Sequence, residues 1–222
     1  MATVSPPVGG FPGLCLDNHR AREYAEAFIK EVATRYTESP AVKVYDLWNE
    51  PHIEGVRDHW AWPYFERKVF CYCDGSGGRF KEWLRRKYSS LEGLNEAWRR
   101  RYSSWEQVQP PIRRGNLVDW LDWRTFWLEN LAEVLGWMVR TFRKYNSTQK
   151  VMTHSGGNGS LYLGLYGCDD WQMAPKVDLY GVSLWGTGDY SQICAGLDGI
   201  RCAARGKEYW VSECYFAPAT GV

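Results

Sequence analysis

The sequence predicts an α/β fold built on a parallel sheet, either a (β/α) barrel or an open sheet. Apolar segments of strand length alternate along the chain with segments of helical periodicity. Polar residues, among them Glu50, His154 and Glu213, lie at the carboxyl ends of the strand-like segments. Because parallel sheets of both kinds bind substrates at this edge, the pattern also predicts an active site there.

The order of the predicted elements is typical of parallel strands joined by right-handed crossovers. Apolar residues at helical spacing predict the helices, and short apolar runs predict the strands. In chain order we expect a helix over 20–36, a strand over 42–51, helices over 80–88 and 90–98, a helix over 119–145, strands over 150–154 and 178–185, a helix over 191–205 and a strand over 208–214. We expect Asp119 to cap the longest helix and Gly206 to stop the last one.

The strand VKVYDLWNEP, residues 42–51, carries the sharpest chemical signal. Its apolar run ends in Asn49-Glu50, and Pro51 is expected to restrict Glu50 to extended backbone. Glu213 ends the last predicted strand in a similar way. Glycoside hydrolysis needs two carboxylates that flank one bond, so Glu50 and Glu213 are the predicted catalytic pair.

Composition narrows the classes of function. The chain has 27 Lys+Arg against 26 Asp+Glu, so its net charge of +1 gives no reason to expect nucleic acid or a membrane as partner. Its 13 tryptophans can fill a core or stack on sugar rings, and composition does not separate these uses. No dinucleotide fingerprint, P-loop or G-x-S-x-G elbow occurs in the sequence.

The seven cysteines are an odd number, which argues against a disulfide framework. The first residues lack a signal-peptide pattern, and no stretch of about 18 apolar residues occurs. These features favour a reduced, cytoplasmic protein. Cys15, Cys71 and Cys73 could offer three thiolates to a metal, but structural zinc usually has four ligands, so three buried thiols are the alternative.

Several segments resemble the N-terminal catalytic domain of glycoside hydrolase family 42, the β-galactosidases of clan A. The resemblance is strongest in CLDNHRAREYAEAFIKEVATRYTESPAV, in the Asn-Glu strand end, and in FCYCDGSGGRFKEWLRRKYSSLEGLNEAWRRRYSSWEQVQPP. KVMTHSGG, DLYGVSLWG and YWVSECYFAP follow in the same order more loosely. This resemblance implies a TIM barrel and a retaining β-galactosidase that needs no cofactor for catalysis.

Site residues follow from the positions that match the family. Glu50 matches the acid/base at the end of the fourth barrel strand, and Glu213 matches the nucleophile at the end of the seventh. Asn49 matches the neighbouring residue that contacts the sugar, and Trp185 falls where related enzymes line the sugar pocket. His154, which follows a predicted strand, is a further candidate for substrate contact, although a lone histidine is more often structural.

A structural zinc is implied by the same resemblance. Cys15, Cys71 and Cys73 match three members of a cysteine cluster that binds zinc in related enzymes. Ser76 stands in the position of the fourth member, which is a departure from the family pattern. Asp74 or a water molecule could complete the site.

The length of 222 residues is a second departure, because a complete barrel typically needs about 250 residues. The match covers strands four to seven with their helices, so we expect one partial-barrel domain over residues 1–222, with an insertion over 51–118. We also expect a carbohydrate substrate and little or no activity for this chain alone, with homo-oligomerisation of a full-length protein left open. The alternatives are another clan A enzyme acting on β-glucan or β-mannan, and a barrel fragment that only binds carbohydrate.

Overall fold

The structure is a computed structural model that describes residues 15–52, 71–112, 116–156, 168–185 and 190–215. The helices are α1 (His19–Arg35), α2 (Asp74–Tyr88), α3 (Leu91–Trp98), α4 (Leu117–Arg143), α5 (Asp170–Met173) and α6 (Tyr190–Ala204). The strands are β1 (Val44–Asn49), β2 (Lys150–Ser155), β3 (Leu179–Trp185) and β4 (Tyr209–Tyr215). Every predicted helix and strand is therefore present, with ends shifted by a few residues.

The four strands form one parallel sheet in the order β1-β2-β3-β4. This confirms the parallel pairing predicted from alternating strands and helices. The central strands are covered on both faces, since Leu179 to Leu184 and all of β2 after Lys150 are buried. All four carboxyl ends consequently open on the same edge of the sheet.

Helix α4 begins two residues before the predicted cap. Asn116 accepts a hydrogen bond from the backbone N–H of Val118 at 3.0 Å through its side-chain oxygen. Asp119 instead lies in the first turn, where it pairs with Arg100 at 3.3 Å. The prediction that Asp119 caps α4 is wrong, because the amide of Asn116, the residue immediately before the first turn, already supplies the capping oxygen.

The end of α6 agrees with the stop signal in the sequence. The helix ends at Ala204, and Arg205 and Gly206 follow with left-handed φ values of 52° and 85°. Glycine adopts this conformation without a steric penalty, so Gly206 lets the chain turn into β4.

The chain divides into two compact units, residues 1–25 with 53–127, and residues 26–52 with 128–222. The expectation of a single domain with an insertion over 51–118 stays a prediction. The parallel sheet belongs to the second unit. Among the described helices, none combines the length and apolarity that a bilayer-crossing segment requires.

An aromatic cluster fills the core of the first unit. Its rings lie with centroids 4.8 to 6.5 Å apart, in stacked and edge-to-face arrangements. The members are Phe80, Trp83, Trp98, Trp123 and Phe126, all of them buried. Much of the tryptophan excess in this unit is thus core packing and not sugar contact.

Asp122 is the polar centre of this aromatic core. Its side chain accepts hydrogen bonds from Lys87 at 2.5 Å, Tyr88 at 2.6 Å and Trp98 at 2.8 Å. The residue is only 2% exposed, so these donors replace water around a buried charge. The contacts tie α4 to α2 and α3 within the first unit.

We expect Asp122→Asn to lower the free energy of unfolding by about 2 kcal/mol, because the substitution removes a charged acceptor shared by three donors. Chemical denaturation monitored by tryptophan fluorescence measures the change. Asp198→Asn is the control, since Asp198 forms an exposed pair with Arg201 and its loss should leave stability almost unchanged. Equal effects of the two substitutions would contradict the role assigned to Asp122.

Candidate active site

Three ionisable side chains meet at the carboxyl edge of the sheet. Glu50 follows β1, His154 lies near the end of β2, and Glu213 lies near the end of β4. One carboxylate oxygen from each glutamate and one imidazole nitrogen all lie within 4.8 Å of one another. The structure thus brings together the two predicted carboxylates and the predicted histidine.

Strand register explains part of this convergence. Asn49 pairs with His154 across β1 and β2, which places Glu50 just beyond the histidine. Glu213 pairs with Ser183 across β3 and β4 after an irregularity in the register. A register shift of one residue would turn each of these side chains to the opposite face of the sheet.

The backbone at Glu50 is not extended. Its φ is 44°, a left-handed value that non-glycine residues adopt rarely, so the extended backbone predicted from Pro51 is wrong. Contacts on both sides of Glu50 hold the chain in this shape. Thr153 donates to the carbonyl of Trp48 at 2.5 Å, and Nδ1 of His52 donates to the carbonyl of Glu50 at 2.7 Å. Strained backbone of this kind concentrates at functional sites.

His154 lies between two carboxylates. Its Nδ1 lies 2.6 Å from Asp46 Oδ2, and its Nε2 lies 3.4 Å from Glu213 Oε1. Burial lowers the pKa of His154, but the hydrogen bond and charge of Asp46, with the charges of Glu213 and Glu50, outweigh burial and raise it above the ordinary value. The site therefore favours a charged imidazole.

Two glycines make room for these side chains. A Cβ at Gly156 would lie 3.1 Å from Glu50 Cδ. A Cβ at Gly181 would lie 2.0 Å from Ser212 Oγ and 2.9 Å from His154 Cβ. Gly181 therefore needs a residue without a side chain, whereas a methyl at Gly156 would require the Glu50 side chain to shift slightly.

The predicted cysteine cluster also assembles, in the first unit. The sulfurs of Cys15, Cys71 and Cys73 lie within 4.8 Å of one another, and Cys15 and Cys73 are 3.6 Å apart. Ser76 Oγ lies 3.4 Å from the Cys15 sulfur and 3.5 Å from the Cys73 sulfur. Ser76 in turn donates to Asp17 Oδ2 at 2.9 Å.

The chemistry of this cluster fits a metal ion. Hydrogen bonding from Cys71 outweighs burial and lowers the pKa of Cys15 to about 6, so one thiolate is available at neutral pH. Ser76 places an oxygen where a fourth ligand would stand, with the Asp17 carboxylate behind it. Asp74, which the sequence suggested as the fourth ligand, begins α2 and is exposed. Three thiolates and one oxygen are a ligand set that zinc accepts.

The sequence model of a glycoside hydrolase family 42 domain, described as beta-galactosidase, matches residues 4–219. The chain belongs to glycoside hydrolase family 42. The resemblance drawn from the sequence segments is therefore confirmed.

Curated relatives of this family 42 chain are longer proteins. Beta-galactosidase BgaA of Clostridium cellulovorans is 25% identical over 155 residues, which are 66% of this chain and 21% of that protein. The chain spans about a fifth of the length of the first curated relatives that it matches.

Solved structures show the same fold. The cold-adapted beta-galactosidase of Rahnella sp. R3 superposes with a TM-score of 0.76 at 22% identity, over 98% of this chain and 32% of that one. The apo exo-carrageenase of family 42 from Bacteroides ovatus superposes with a TM-score of 0.71 at 19% identity, over 89% of this chain and 29% of that one. With its four-stranded parallel sheet, the family 42 chain has the fold of a partial (β/α) barrel, as predicted.

The remaining predicted site residues lie at the same edge. Asn49 is the exposed last residue of β1, and Trp185 is the last residue of β3, with its side chain outside the described part of the structure. Sequence reasoning missed Asp46, the partner of His154. Its signal was a lone acidic residue inside the apolar run of β1, where it could pair with a residue on a neighbouring strand.

We expect Gly181→Ala to destabilise the family 42 chain by about 1 to 3 kcal/mol, since the added methyl meets the fixed Cβ of His154 as well as the rotatable hydroxyl of Ser212. Thermal unfolding measures the change. The matched control is Gly78→Ala in α2, where a Cβ has no neighbour within 4 Å and should be neutral or stabilising by up to about 1 kcal/mol. A Gly181→Ala variant as stable as the control would show that the site is looser than described.

Proposed function

We propose that the chain carries the catalytic pair of a retaining β-galactosidase, with Glu50 as acid/base and Glu213 as nucleophile. One observation carries the proposal: oxygens of the two carboxylates lie within 4.8 Å of each other. Retaining glycosidases hold their carboxyl groups about 5 Å apart, whereas inverting enzymes leave room for a water at about 6.5 to 9.5 Å. Membership of family 42 supports the same reading.

The proposed reaction proceeds in two displacements. Glu213 attacks the anomeric carbon while Glu50 gives a proton to the departing oxygen, which forms a glycosyl–enzyme ester. Water then attacks the same carbon, Glu50 takes its proton, and the bond to Glu213 breaks. Neither displacement requires a cofactor. By the family match, Asn49 and Trp185 contact the sugar.

The setting of Glu50 supports a role in proton transfer. Its Oε1 is buried and has no hydrogen-bond partner among the described residues. A buried carboxyl oxygen without a protein donor can hold the proton that the leaving group needs. Gly156 keeps the other side of this carboxylate open.

A galactoside is the proposed substrate because the curated relatives are named as beta-galactosidases. The fold of the chain is equally compatible with other sugars, since a superposing family 42 structure is named as an exo-carrageenase. A chain that binds galactosides without turnover is the competing function. Edge strand β4 exposes three apolar residues, Tyr209, Trp210 and Val211. They leave one flank of the sheet uncovered, which favours this competing function.

Substitution of each glutamate by glutamine tests the assignment. Glu50→Gln should lower kcat/KM about 10²- to 10⁴-fold on a phenyl galactoside, which needs acid assistance, and far less on a 2,4-dinitrophenyl galactoside, which does not. Glu213→Gln should abolish turnover of both substrates. Steady-state kinetics on the two substrates measures the contrast.

Equal losses of kcat/KM on both substrates for Glu50→Gln would contradict an acid/base role. Binding of a galactoside by the unsubstituted chain without turnover of either substrate would establish the competing function. A product released first as the α-anomer would contradict a retaining mechanism.

We also propose that Cys15, Cys71 and Cys73 hold a structural zinc, with an oxygen from Ser76 or Asp17 on the fourth side. The three converging sulfurs support it. Bound there, zinc would stabilise the first unit by linking residue 15 to the start of α2.

The expected result is close to one zinc per chain by elemental analysis after purification without chelator. Ser76→Cys should slow zinc loss to a chelator, because it supplies a fourth thiolate, and Cys73→Ser should abolish binding. Zinc-free protein with unchanged thermal stability on zinc addition would overturn the proposal.

A further inference from the structure

We propose that His154 is a positioning residue for the nucleophile, held as an imidazolium between Asp46 and Glu213, and that it promotes release of Glu213 from the glycosyl–enzyme. The inference rests on the proposed function and assigns a part to a residue that the two-carboxylate mechanism does not use.

Both ring nitrogens of His154 face a carboxylate. Nδ1 lies 2.6 Å from Asp46 Oδ2, a distance typical of a charge-assisted hydrogen bond. Nε2 lies 3.4 Å from Glu213 Oε1, an ion-pair contact, and makes no hydrogen bond to the described residues. A neutral imidazole has one N–H and could donate to only one of these carboxylates, whereas an imidazolium can face both as a donor.

Burial makes this arrangement stiff. His154 is 2% exposed, while the side chains of Asp46 and Glu213 are 33% and 30% exposed. The base of the His154 side chain lies close to Gly181, where an added Cβ would lie 2.9 Å from His154 Cβ. The buried ring therefore has a fixed position and can hold the more exposed Glu213 carboxylate in place.

The charges around the ring all have one sign. Asp46 faces it from β1, Glu50 from the residue after β1 and Glu213 from β4, and from β3 it meets Gly181, which carries no side chain. Three carboxylates around one buried ring favour its protonated form. The raised pKa of His154 agrees with this arrangement.

The positive charge of His154 has opposite effects on the two displacements. In the first, the Glu213 carboxylate gives up its charge to the new bond with the anomeric carbon, and an adjacent cation opposes that change. In the second, water attacks, Glu50 accepts its proton, and the electron pair of the breaking bond returns to Glu213. The imidazolium stabilises that returning charge, so it favours the second displacement.

The first test requires no turnover. Imidazole resonances of the full chain are followed by nuclear magnetic resonance across pH, and His154 is assigned by the signal lost in His154→Gln. We expect the pKa of His154 to lie above about 6.5 and to fall in both Asp46→Asn and Glu213→Gln. A pKa at or below about 6.5, or one that neither substitution moves, would overturn the proposal.

The second test uses kinetics on 2,4-dinitrophenyl galactoside. His154→Gln keeps a neutral donor but loses the charge, so kcat and KM should fall together by about tenfold, with glycosyl–enzyme accumulating in the intact mass spectrum. His19→Gln, at an exposed position of α1, is the control and should leave both constants unchanged. A fall in kcat/KM without accumulation of the intermediate would indicate a merely structural histidine.

These tests separate the inference from the function on which it rests. Absence of covalent labelling in the unsubstituted chain would count against the proposed glycosidase. The magnetic resonance titration would still decide whether Asp46 and Glu213 hold His154 as a cation.

Discussion

The candidate site depends on the inward curvature of four parallel strands. β1 and β4 lie at opposite edges of the described sheet, yet oxygens of Glu50 and Glu213 approach within 4.8 Å. Neighbouring strands are about 4.8 Å apart, so three steps along a flat sheet would separate these ends by roughly 14 Å. The reach of the two glutamate side chains and the curvature of a barrel wall both shorten this separation.

Convergence of the strand ends creates an electrostatic problem. Asp46, Glu50 and Glu213 all crowd around His154, and like charges at such distances repel one another. The buried imidazole reduces that repulsion, and Gly181 leaves room for the Cβ of His154 where a side chain would not fit. The left-handed backbone at Glu50 directs the third carboxylate toward the same space. The same few residues thus provide both the close packing and the charge balance of the site.

Sequence patterns predicted the features that depend on local periodicity. The stripe of α4 and the apolar runs of β2 and β3 lie where expected, and Glu50, Glu213 and the three cysteines meet as predicted. Contacts between distant segments were not predictable. The turn at Glu50 overrides the preference imposed by Pro51, because His52 and Thr153 hold the neighbouring carbonyls. The pairs Asp46–His154 and Asp17–Ser76 join positions that no local pattern connects.

Trapping with a 2-fluoro-2-deoxygalactosyl fluoride tests the central claim most directly, because the electron-poor sugar forms the glycosyl–enzyme faster than it is hydrolysed. Peptide mass spectrometry then locates the label. The proposed roles predict one label per chain on Glu213 and none in Glu213→Gln. A label on Glu50 or on any other residue would contradict the assignment of Glu213 as nucleophile.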